Sequence, residues 1–122
     1  MAEALGILLI SGGHERAHYA FVLAAGAAAV GRPVVLFATN EGCRALLGDT
    51  APDARDAAVQ AAGVAGLSEL RAAAAELGVR LLACDAGLRM AGLDALALLP
   101  GVEVAGVPTF LSAVRGGQVV TL

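Results

Sequence analysis

The stretch Leu81-Leu82-Ala83-Cys84-Asp85-Ala86-Gly87-Leu88-Arg89-Met90-Ala91-Gly92 decides how this chain is read. From Val79 to Ala83 the residues are apolar except for Arg80, the pattern of a parallel strand covered on both faces. The strand runs into Cys84 and then into a short helix reaching about Met90, which Gly92 breaks. Ligand sites in parallel sheets lie at the carboxyl ends of strands, so Cys84 is the candidate catalytic residue. The backbone N–H groups at the start of the helix favour a thiolate there. Asp85 works against it unless Arg89, one turn later, draws the carboxylate aside. The competing reading is that Cys84 is a small buried hydrophobe.

Upstream, the same strand-turn-helix unit recurs. Leu5 to Ile10 is an apolar run ending in Ser11-Gly12-Gly13, and a helix then runs from His14 to Val30. Exposed N–H groups in such a turn suit an anion, although Ser11, Gly12 and Gly13 match neither a P-loop nor a dinucleotide fingerprint. Gly31 and Pro33 end the helix, and Val34 to Phe37 forms a second strand opening into Ala38-Thr39-Asn40. Thr39 and Asn40 join Ser11, Gly12 and Gly13 as candidate binding residues. Asn40 is expected to cap a short helix containing Cys43, itself read as a packing residue.

Between Gly48 and Gly66 the chain turns small and polar, with a weakly apolar helix at Ala54 to Ala62, which predicts a mobile flap over the site. Asp49, Asp53 and Asp56 are expected to be helix caps or solvated charge. A helix over Leu67 to Leu77 precedes the Cys84 strand, and another helical turn or two is expected over Leu93 to Leu99. A fourth strand at Val102 to Ala105, a helix at Pro108 to Val114 and a last strand at Val119 to Leu122 complete the chain. Five strands alternating with helices predict an α/β fold: a three-layer α/β/α sandwich around a mainly parallel five-stranded sheet. Ser11, Thr39, Cys84 and Val107 would share one edge of it.

Composition narrows the function. The 122 residues suit one domain, residues 1–122. Hydrophobic residues make up 58% and charged residues 16%, too little charge to coat a monomer of ordinary composition. A homo-oligomer is therefore expected, with Leu93 to Leu99, Val107 and Phe110 as the contact surface. The eight basic residues are all arginines scattered singly, and the net charge is -3, so no direct nucleic-acid binding is expected. Ala17 to Val30 is the longest apolar stretch; it contains His18 and falls short of the roughly 20 residues that span a bilayer. No secretion signal is recognised, and a cytoplasmic location is expected. Cys43 and Cys84 lack the spacing of a metal site, His14 and His18 are read as capping or exposed, and neither metal nor cofactor is expected.

Taken together, Ile7 to Gly13, Val34 to Gly42, Gly63 to Leu70, and Ala83-Cys84 followed by Met90 to Leu93 resemble the DsrE/DsrF-like sulfur-relay proteins, which include TusD-type subunits. The resemblance spans nearly the whole chain. It implies a sulfur carrier or sulfurtransferase in which Cys84 accepts a persulfide from a donor protein and passes it to an acceptor, assembled as a trimer or hexamer. Two alternatives stay open: a thiol peroxidase or redox sensor in which Cys43 resolves a sulfenic acid on Cys84, and a non-catalytic anion- or nucleotide-binding module built on the Ser11-Gly12-Gly13 turn.

Overall fold

The computed structural model describes residues 3–48 and 53–122. Its strands are β1 (Leu5–Leu9), β2 (Val34–Ala38), β3 (Arg80–Cys84), β4 (Glu103–Ala105) and β5 (Gln118–Thr121). Its α-helices are α1 (His14–Ala29), α2 (Ala54–Ala61), α3 (Leu67–Glu76), α4 (Asp85–Met90) and α5 (Val107–Ala113), and a 3-10 helix covers Asn40–Leu46. All four strand pairings are parallel, in the order β4-β3-β2-β1-β5. The parallel α/β architecture expected from the sequence is the one observed, and the carboxyl ends of β1, β2 and β3 lie side by side.

Because neighbouring residues point to opposite faces of a strand, the register divides the sheet in two. Ile7, Leu9, Leu36, Leu81 and Ala83 face the larger core, where Phe21, Ala20 and Ala24 of α1 and Ala74 of α3 pack against them. Val35, Phe37, Leu82 and Cys84 face the other way, onto Phe110 and Val114 at α5. The sheet progresses in one direction from β1 to β4, so right-handed crossovers place α1 and α3 together. Among the described residues, only the return from β4 to β5 puts a helix on the second face. There α5 approaches closely because β1 offers Gly6, whose missing Cβ would lie 2.9 Å from Phe110 and Val114. The Phe37 and Phe110 rings stack with centroids 5.1 Å apart.

Several expectations are corrected by these contacts. Residues 93–99 are turns, not helix. Leu93 is buried, and Leu98 forms an antiparallel bridge with Leu47. Backbone hydrogen bonds from Gly48 to Ala97 and from Leu99 to Leu46 replace those a helix would make. Phe110 is 2% exposed and belongs to the core, so it is no part of a contact surface. Asn40 caps nothing: it begins the 3-10 helix with φ 51°, a left-handed conformation that Asn tolerates better than most residues.

The expected flap is docked through polar contacts where its described residues begin. His14 is buried rather than exposed, and its Nε2 lies 2.8 Å from Asp56 Oδ1. The same carboxylate oxygen accepts the Leu67 N–H at 2.7 Å, capping α3, while Asp53 caps α2 by accepting from Arg55 N. His18 Nε2 meets the Ala65 carbonyl at 2.9 Å. Residues 53–66 are therefore tied to α1 and α3, on the face opposite to Cys84; Asp49 lies outside the described residues.

Burial by itself would raise the Asp56 pKa, but the Leu67 N–H and His14 outweigh it and hold the carboxyl below the usual aspartate range. A depressed folded-state pKa contributes stability above the unfolded value, about 4, and loses it as pH falls through the folded value. Asp56→Asn should therefore cost about 1–3 kcal/mol at pH 7, and urea unfolding should show the gap to the parent narrowing below about pH 4. A second expected outcome concerns Gly87. A Cβ there would collide with Asn40 N and Thr39 Oγ1, so Gly87→Ala should cost about 1–3 kcal/mol through overpacking, readable as a lowered urea midpoint.

Candidate thiol site

Cys84 is the last residue of β3 and the N-cap of α4, with extended backbone angles of φ -69° and ψ 122°. That position turns its side chain back over the first turn of the helix. There Sγ accepts the Gly87 N–H at 3.3 Å, in the role a serine or aspartate oxygen usually fills. The residue is buried, at 7% exposure, in the smaller core beside α5. Asp85 is turned to its own partner: Arg89 Nη1 donates to Asp85 Oδ1 at 2.7 Å, one turn along α4, as the i, i+4 spacing anticipated.

The donor at Gly87 is held in place by close packing. Its backbone rests on the corner after β2, where Thr39 and Asn40 leave no volume for a side chain. Gly42, in the same corner, packs equally closely on the Leu9 carbonyl. Its N–H donates to Ile10 O at 2.9 Å. Two glycines thus fasten the β2 corner to the ends of both β1 and β3. Neither stands out in the sequence, because each is one of 16 glycines and the partners are distant along the chain.

Of the candidate binding residues, Thr39 and Asn40 are brought against the start of α4. The Ser11-Gly12-Gly13 turn is not. Since β2 lies between β1 and β3, that turn is offset from Cys84 by two strand spacings, roughly 10 Å. Gly12 instead abuts Glu41, and the Ser11 hydroxyl accepts the Gly13 N–H at 3.0 Å within its own turn.

Cys43 sits in the larger core with no exposed surface, and its thiol donates to the Ala38 carbonyl at 3.5 Å. Burial pushes that thiol up to about 11, with the nearby Cys84 N–H acting in the opposite direction and the Cys84 charge adding to the rise. Both cysteines are free thiols. Among the described residues, no cluster of three His, Cys, Asp or Glu side chains is placed to hold a metal, and no helix is long and apolar enough to cross a membrane. A cavity opens on the other side of the sheet, beside His14 and Asp56.

Comparison with solved structures supports the fold. The ychN protein from E. coli superposes with a TM-score of 0.75 over 100% of both chains at 16% identity. A protein of unknown function, MTH1491 from Methanobacterium thermoautotrophicum, gives 0.67 over 98% of this chain and 99% of its own at 19% identity. At such identities the likeness is one of architecture. No curated protein matches the chain. The model of the DsrE/DsrF/DrsH-like family matches residues 43–122, a span that holds both cysteines, β3, α4, β4, α5 and β5. The chain belongs to the DsrE/DsrF/DrsH-like family.

Proposed function

We propose that the protein is a sulfur carrier that holds sulfane sulfur as a persulfide on Cys84. The observation that carries the reading is the Gly87 N–H aimed at Sγ from the first turn of α4. A thiolate nucleophile needs such a donor, and a terminal sulfur carrying negative charge needs fixed dipoles and partial shielding. The Cys84 thiolate attacks the outer sulfur of a donor persulfide, R–S–S⁻. The donor's S–S bond breaks, R–S⁻ leaves, and a new S–S bond forms on Cys84. An acceptor thiolate then attacks the terminal sulfur and Cys84 departs as thiolate, so the sulfur moves with no net oxidation. Thr39 and Asn40 pack against Gly87, the residue whose N–H meets Sγ, which supports a role for them beside the sulfur. Membership in the DsrE/DsrF/DrsH-like family accords with this role, as does the sulfur-relay resemblance in the residues around Cys84.

Redox sensing through a Cys84–Cys43 disulfide is the weaker reading. It asks Cys43 to attack as a thiolate, and burial pushes that thiol up to about 11. An anion module on the Ser11 turn is also weaker, because the Ser11 hydroxyl is engaged within the turn. Intact-mass spectrometry after incubation with inorganic polysulfide distinguishes the readings. The parent and Cys43→Ser should gain sulfur, whereas Cys84→Ser should not. Equal uptake by Cys84→Ser would overturn the assignment, and hydrogen peroxide converting the parent to an internal disulfide would favour redox sensing.

We also propose that copies of the chain associate through the second face of the sheet. That face is covered by one seven-residue helix, and it leaves Val107, Leu111 and Val119 about half exposed. The register pairs Val119 with Gly6, placing it beside the strip that α5 covers. Grouped exposed apolar side chains on a sheet face fit an interface better than an isolated monomer surface. Sedimentation at micromolar concentration should show a species larger than the 12.0 kDa chain, and Val119→Arg should shift it toward monomer. A parent that sediments as a monomer would contradict the assignment.

A further inference from the structure

On the opposite side of the sheet from Cys84, a cavity of about 700 Å³ lies between α1, α3 and the end of the 3-10 helix. Its volume is in the range of small-molecule pockets. One part of its wall is apolar, built from Ala17, Leu47, Leu67 and Leu96. The other part carries Arg44, Asp53, Asp56, Ser68 and Arg71.

Most of these charges are already matched. Asp56 serves His14 and the Leu67 N–H. Asp53 caps α2 and pairs with Arg55, and Arg44 pairs with Glu41. Arg71 differs. One of its terminal nitrogens donates to the Ala45 carbonyl at 3.1 Å, and among the described residues no carboxylate forms an ion pair with it. Burial lowers its pKa, and the charge of Asp56 acts in the opposite direction without reversing the shift. A guanidinium presents five N–H donors in a planar fork shaped for a carboxylate. Among the described residues only the Ala45 carbonyl takes one of them, at the wall of the cavity.

We infer that this cavity binds a small organic monoanion of the carboxylate class, with Arg71 holding the head group and the apolar wall taking the hydrocarbon part. The charge balance selects a monoanion over a phosphate ester. Among the described residues, a dianion would meet one cation without an ion pair, Arg71, and the nearby carboxylates of Asp53 and Asp56. The apolar wall selects an organic acid over a simple inorganic anion. The ligand would occupy the side of the sheet that the thiol does not use, so binding is independent of the sulfur chemistry and should persist in Cys84→Ser.

Titration of the 15N-labelled full chain with hexanoate, and separately with 1-hexanol, tests the inference. Hexanoate should bind saturably and more tightly than hexanol, with the largest amide shifts at Ala45, Leu47 and Ser68. Arg71→Gln should weaken hexanoate by roughly tenfold to a hundredfold, the loss expected for a charge-assisted hydrogen bond, and leave hexanol little changed. Because Arg71 also ties α3 to the Ala45 carbonyl, a rim variant gives an independent readout. Leu96 is 52% exposed and lies on the apolar wall, and Leu96→Ser should weaken hexanoate and hexanol alike. Equal affinities for acid and alcohol, shifts centred elsewhere, or both affinities unmoved by Leu96→Ser would each overturn the proposal.

Discussion

The backbone of α4 lies against the corner that follows β2, and this approach requires a residue without a side chain at position 87. Much of the site geometry follows from it. With α4 seated on Thr39 and Asn40, its first turn begins at the end of β3, and the residue at that junction becomes the N-cap. That residue is Cys84, so its sulfur receives a backbone donor from the same glycine whose smallness permits the packing. A second close approach, Gly42 against the Leu9 carbonyl, holds the other side of the corner. Asn40 accepts a left-handed backbone between the two contacts.

The two sides of the sheet are built unequally. The side of α1 and α3 holds the larger core, with Phe21, Ile7, Leu9, Leu36 and Leu46 almost wholly withdrawn from water. Its helices are linked by polar contacts as well: Asp56 joins α1 to α3 through His14 and the Leu67 N–H. The side of α5 is thinner, resting on the Phe37–Phe110 stack and the close approach at Gly6. Cys84 belongs to this thinner side, buried at 7% exposure, while Cys43 is wholly withdrawn in the larger core.

Much of this was legible in the sequence. The apolar runs ending in small or polar residues placed the strands, and their alternation with helices fixed a parallel sheet whose carboxyl edge carries Cys84. The Asp85–Arg89 pair followed from spacing within one helix. What could not be read were the contacts between distant segments. Leu93 to Leu99 has helical composition, yet hydrogen bonds to Leu46 and Gly48 draw it into turns, a case of tertiary contacts overriding propensity. His14 and Asp56 are 42 residues apart, and nothing local to either marks the pair. Glycine gives no local sign of which copy lies against a neighbouring backbone, so the donor at Gly87 emerged only with the fold.

The central claim is that the sulfur carried on Cys84 is held by the N–H at the start of α4 beside the β2 corner. The 15N-1H spectrum of the protein before and after loading with inorganic polysulfide tests it most directly. The account predicts that the amides of Gly87, Thr39 and Asn40 shift most and return on reduction with dithiothreitol. Loaded protein whose shifts centre on Cys43 and its neighbours, with the Gly87 amide unmoved, would contradict it.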